Sequence, residues 1–191
     1  MNETQPLTGA EKQILLRLAR EVIERAVNQK PLPTLKLEDY TPALVENGAS
    51  FVTLTEDGEL RGCIGALEPY QPLVQDVCEH AAAAALEDYR FQPVTPREVL
   101  RLKIEISRLT PPLPFNYTKP EELLAGLRPH TDGVIVRDGT RRATFLPQVW
   151  EKLPDPQSFL ENLCEKMGAS YNLWQRKPLQ VFTYQVEEFH E

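Results

Sequence analysis

The chain has 191 residues, a length suited to one large domain or to two small lobes around one core. Its 41% hydrophobic and 26% charged residues are ordinary for a soluble globular protein, and a net charge of −7 with no basic cluster longer than Arg141-Arg142 argues against nucleic acid or an anionic membrane as partner. No run approaches the ~18 apolar residues of a membrane span, Met1–Gly9 lacks the pattern of a signal peptide, and the three scattered cysteines read as reduced thiols of a cytoplasmic protein.

Thr8-Gly9-Ala10-Glu11 has the form of a capping box. Ile14, Leu15, Leu18, Val22 and Ile23 then recur at helical spacing, which predicts a helix over 8–28 that Lys30-Pro31-Leu32-Pro33 ends. Thr41-Pro42-Ala43 reads as a loop or short turn. Ser50 to Thr55 is a β-rich run, and Asp57-Gly58 is a hairpin signal leading into a second strand, Leu60-Arg61-Gly62-Cys63-Ile64-Gly65. A two-residue turn pairs Cys63 with Val52 and Arg61 with Leu54. A three-residue turn with a bulge reverses the faces, and the residues alone leave both open.

Pro72 predicts a helix start, with the helix running to Leu86 through the unbroken alanines 81–85. Leu102, Ile104, Ile106 and Leu109 follow a mainly alternating strand pattern, with Lys103, Glu105 and Ser107 between them. Thr110-Pro111-Pro112-Leu113-Pro114 reads as polyproline-like and as a candidate boundary between lobes. Thr118-Lys119-Pro120-Glu121 suggests a second capping box. Residues 134–146 suggest a hairpin turning at Asp138-Gly139, Asp155-Pro156 opens a helix that stops at Gly168, and residues 180–189 form a closing strand. Hairpins interleaved with helices argue an α+β fold with a mostly antiparallel sheet, packed helices and two lobes, or subdomains, around a cleft.

The hexapeptide 60–65 carries the chemistry. Two glycines inside a strand mark a bulge or a close approach to the backbone, so Gly62 and Gly65 are candidate substrate-binding positions. In an extended strand Arg61, Cys63 and Gly65 share one face and Leu60, Gly62 and Ile64 the other. Residues two apart on a strand are separated by ~6.6 Å, so the Arg61 guanidinium could favour the thiolate of Cys63. The plain alternative is a buried cysteine acting as a small hydrophobe. Asp88 and Arg90 follow the alanine helix. Arg90 could clamp a carboxylate or phosphate, or pair structurally with Asp88 or Glu105. Glu105 lies on the polar side of its strand, and Gln148 is a polar group in an apolar segment. His80 reads as a partly exposed helical residue. No metal-ligand spacing and no phosphate-binding glycine motif occurs, so neither metal nor cofactor is expected.

Leu60–Gly65 closely resembles the hallmark of the AMMECR family, whose prokaryotic members are called AmmeMemoRadiSam system protein A. Asp88-Tyr89-Arg90-Phe91-Gln92-Pro93, Ile104-Glu105-Ile106-Ser107 and Phe145-Leu146-Pro147-Gln148-Val149 resemble further segments of that family, in the same order. The resemblance covers residues 8–190 and implies two subdomains within a single domain of this type. It carries no settled biochemical activity, and it implies a pathway shared with a Memo-type protein and a radical SAM protein. Two functions follow as expectations. One is an enzyme or enzyme component using Cys63, Arg61, Arg90 and Glu105 on a small-molecule or peptide ligand held by Gly62, Gly65, Asp88 and Gln148. The other is a non-catalytic binding or adaptor protein whose glycine-rich strand receives a partner.

Overall fold

The computed structural model describes residues 5–191. The fold is α+β with antiparallel sheets, and the chain divides into two compact units: the chain up to Leu109 together with Glu187–Glu191, and Thr110–Val186.

The first unit begins with helix α1 (Gly9–Val27), closed at its start by the reciprocal Thr8–Glu11 capping box. The Glu11 carboxyl is held below its ordinary range, first by the Thr41 hydroxyl and then by Thr8. Helix α2 (Pro42–Val45) is a single helical turn at the place read as a loop or short turn. Strands β1 (Asn47–Glu56) and β2 (Glu59–Gly65) form the expected hairpin. Asp57 and Gly58 both have positive φ, 53° and 87°, the signature of a turn whose twist matches the strands it joins. Strand β3 (Gln71–Pro72) pairs briefly with β1 and leads into helix α3 (Leu73–Leu86). Strands β4 (Leu102–Leu109) and β9 (Val186–His190) complete a sheet of order β2-β1-β4-β9, in which β2 is an outer strand.

Helices α1, α2 and α3 all pack on one face of this sheet. Val52, Leu54, Ile104 and Ile106 share a core with Leu15, Ile23, Leu44, Val77 and Ala81. The small residues of α3 permit close contact. A Cβ on Gly62 would lie 2.1 Å from the carbonyl oxygen of Ala84, so glycine is required where helix backbone meets strand backbone. Phe51, Thr53, Cys63 and Glu105 lie on the opposite face, which none of these helices covers.

The second unit holds strands β5 (Leu113–Phe115), β6 (Gly133–Asp138), β7 (Arg141–Phe145) and β8 (Gln180–Tyr184) in the order β5-β8-β6-β7. Helices α4 (Pro120–Gly126), α5 (Pro156–Lys166) and α6 (Leu173–Arg176) accompany it. Its core sets Trp150, stacked on Phe159 at 3.7 Å between ring centroids, among aliphatic residues such as Leu123, Val134 and Leu163. The proline-rich stretch supplies β5, an outer strand, where prolines are tolerated because one row of N–H groups needs no partner. The closing run 180–189 is interrupted at Gln185, whose N–H and C=O bond to Thr110. In the α4 cap Glu122, one residue past the expected Glu121, accepts from the Thr118 N–H. The 133–145 hairpin turns at Gly139-Thr140, since Asp138 already pairs with Arg141.

Candidate active site

Strand pairing decides what accompanies Cys63. The turn has two residues, with Glu56 opposite Glu59 and Thr55 opposite Leu60. A bulge then intervenes, because Leu54 pairs with Gly62 and leaves Arg61 as the extra residue. Cys63 therefore lies opposite Thr53 rather than Val52. The bulge also breaks the simple alternation expected for the hexapeptide. Leu60 shares the face of Cys63, while Gly62 and Ile64 turn to the helices.

Thr53 stands between two partners, Cys63 on β2 and Glu105 on β4. Its Oγ1 donates to Cys63 Sγ at 3.3 Å. Cys63 is half-buried, and the Glu105 side chain makes no hydrogen bond or ion pair among the described residues. The row Cys63–Thr53–Glu105 thus presents a thiol, a hydroxyl and an unpaired carboxylate on three adjacent strands. Thr53 had no marker in the sequence, because its place beside the thiol depends on the bulge.

Arg61 is engaged elsewhere. Its Nε donates to Glu98 Oε1 at 2.9 Å, and this contact, with Thr95, brings the Glu98 carboxyl down to about 2. The guanidinium that bears on Cys63 is that of Arg90. Asp88 Oδ2 accepts the Cys63 N–H at 2.9 Å, and Arg90 Nη2 donates to the Cys63 carbonyl oxygen at 3.1 Å. The two side chains are joined by Arg90 Nε to Asp88 Oδ1 at 2.8 Å and Nη2 to Oδ2 at 2.6 Å. Together they occupy the outward hydrogen-bonding groups of Cys63 on an outer strand, a position otherwise open to pairing with another chain. The Arg90 guanidinium, opposed by burial and aided by the Cys63 N–H, holds the Asp88 carboxyl well below the usual carboxylate range. Asp88 in turn raises Arg90.

The two glycines of the motif have occupants. The Ala84 carbonyl takes the space at Gly62, and the ring of cross-strand Phe51 lies over Gly65, where a Cβ would come within 2.4 Å of Cγ. Gln148 belongs to the second unit, in the 3₁₀ turn Pro147–Glu151. Cys78 and Cys164 are both buried, and burial pushes the Cys78 thiol up to about 12 and raises that of Cys164.

A second polar cluster lies on the helix side of β1. Ser50 Oγ donates to Asp76 Oδ2 at 2.6 Å, and His80 Nδ1 lies 3.2 Å from the same oxygen. All three residues are buried, and Asp76 Oδ1 has no partner among the described residues. His80 is thus a core residue, in contrast to the partly exposed position expected for it. The described residues contain no group of three or more His, Cys, Asp or Glu placed to hold a metal ion, and no helix among them is long and apolar enough to cross a membrane.

Relatives match this chain over nearly its whole length. A protein from Thermofilum pendens is 37% identical over 201 residues, covering 97% of this chain and 92% of its own length. A protein from Methanothermobacter thermautotrophicus is 37% identical over 188 residues and covers 97% of both chains. The crystal structure of the uncharacterised protein PH0010 from Pyrococcus horikoshii superposes with a TM-score of 0.82 at 33% identity, covering 97% of this chain and 93% of that one. The AMMECR1 family model matches residues 16–189, so the bulged cysteine strand, its Asp88–Arg90 clasp and both sheets fall within one family unit, and the chain belongs to the AMMECR1 family.

Proposed function

We propose that the protein is an enzyme or enzyme component whose reactive group is the Cys63 thiol. The observation that carries this is selective accessibility. Cys63 is the half-buried cysteine of the three, and its sulfur receives a hydrogen bond from Thr53. In this arrangement Cys63 is the nucleophile and Glu105 the carboxylate facing the ligand. Asp88 and Arg90 fix the cysteine backbone. Arg61 acts at one remove, by tying the bulge to Glu98. Gly62 and Gly65 set the close packing that presents the thiol.

The test is the alkylation rate of native Cys63 at pH 7, compared with the same cysteine in a peptide of residues 57–69. An activated thiol reacts faster in the folded protein. A slower rate in the folded protein removes the nucleophile.

A binding or adaptor role is favoured by a different observation. Tyr89, between the two residues that clasp Cys63, is 94% exposed. An exposed aromatic on a rigidly held segment suits a protein partner, and a Memo-type or radical SAM protein is the partner class proposed here. Tyr89→Ala with loss of co-purification, alongside Cys63→Ser with the biological role intact, would favour this second function. The reverse pattern favours the first.

A further inference from the structure

We infer that the row Cys63–Thr53–Glu105 takes a ligand bearing a cationic group, such as a primary amine or a guanidinium, with the reacting centre at Cys63 and the cation at Glu105. This rests on the reactive-thiol function proposed above and adds the chemical class of its substrate. The two residues lie on strands separated by one intervening strand, so about 10 Å of backbone separates them at ~4.8 Å per strand. The ligand therefore lies across Thr53.

The inference follows from the charges around this row. The expectation that Arg90 clamps an anionic ligand meets the fact that Asp88 already takes two of its hydrogen bonds, at 2.8 and 2.6 Å. The Cys63 carbonyl takes another, at 3.1 Å. Arg61 is likewise paired with Glu98. Both guanidinium groups carry a matched carboxylate, which leaves little net positive charge to attract an anion. Glu105 is half-buried, and its carboxylate has no partner among the described residues. The one cation sharing the face along β4 is Lys103, opposite Thr55 in the next row and exposed. An unpaired, partly desolvated carboxylate gains most from a cation delivered by a ligand.

The probes are two thiol reagents of opposite charge, 2-(trimethylammonium)ethyl and 2-sulfonatoethyl methanethiosulfonate. In each case the Cys63 thiolate attacks the sulfenyl sulfur. A new S–S bond forms, the old one breaks, methanesulfinate leaves with the electron pair, and the thiol proton goes to solvent. Each rate on the native protein, followed by mass spectrometry at Cys63, is normalised to that reagent's rate with 2-mercaptoethanol. The cationic reagent is expected to be preferred. Glu105→Gln should reduce that preference about three- to tenfold, the effect of one charge at ~7 Å in a largely aqueous setting. Lys103→Gln should increase it. Glu38→Gln removes the same charge from a turn whose neighbour Leu37 packs on the helix-side core, and should change the ratio less than about twofold. Ready modification by both reagents, with a ratio insensitive to Glu105→Gln, overturns the ligand class and leaves the reactive thiol standing. Failure of both reagents to modify native Cys63 overturns both.

Discussion

Ser50 and Thr53 are hydroxyl residues three positions apart on one strand, and they face opposite sides of the first sheet. Each stands beside a carboxylate and a third reactive group. Ser50 meets Asp76 and His80 under α3, where all three are buried. Thr53 meets Cys63 and lies opposite Glu105, where the thiol and the carboxylate remain half-exposed. A serine, an aspartate and a histidine would attract attention as a hydrolytic set. Here both the serine and the histidine address one oxygen of Asp76, so the histidine is not placed to take the serine proton. The cluster joins α3 to β1. The less conventional set on the other face is half-exposed. Burial and hydrogen-bond direction distinguish the two sets more sharply than residue type does.

The contrast is sharpest in stability. Asp76→Ala leaves Ser50 and His80 buried without their shared acceptor and should cost about 2–4 kcal/mol in denaturant unfolding. A cost under ~1 kcal/mol would mean that the cluster is not a structural tie. Gly62→Ala drives a methyl group into the Ala84 carbonyl and should cost about 1–3 kcal/mol. Gly62→Val is larger still, so loss of function in that variant reports the packing of α3 on β2 rather than a blocked partner.

Acid should reveal the ties around the motif next. Asp88 and Glu98 have folded-state pKa values below their ordinary ones, Glu98 at about 2. Their contributions are fully present above the unfolded carboxylate range near pH ~4. They are lost as pH falls through the folded values. Glu98→Gln should therefore flatten the acid limb of the stability curve and leave its slope near neutrality unchanged. An unaltered acid limb would separate Arg61–Glu98 from the stability of the bulge. The smallest effect belongs to the half-exposed carboxylate of Glu105. Glu105→Gln should change stability by less than ~0.5 kcal/mol, since nothing in the described chain depends on it.

What the residues disclosed on their own follows the range of the interactions involved. The Thr8–Glu11 box, the Asp57-Gly58 turn and the alternation of β4 from Leu102 to Ile106 are local and appear in the structure as the chain order suggests, whereas Ser107, Arg108 and Leu109 are all buried. The bulge at Arg61 is a compromise between the turn, the approach of α3 at Gly62 and the Glu98 contact. None of those lies within the hexapeptide, so the face of Leu60, the partner of Arg61 and the role of Thr53 were hidden. Asp88 and Arg90 were visible as neighbours of each other. Their grip on the Cys63 backbone, 25 and 27 residues away, required the fold.

The decisive observation is the relative labelling of the three cysteines in the native protein by a neutral alkylating reagent, read site by site. Cys63 should be consumed first, while Cys78 and Cys164 react only as fast as the fold opens. Labelling of Cys63 no faster than the two buried thiols would contradict the assignment of the half-exposed row as the working face of the protein.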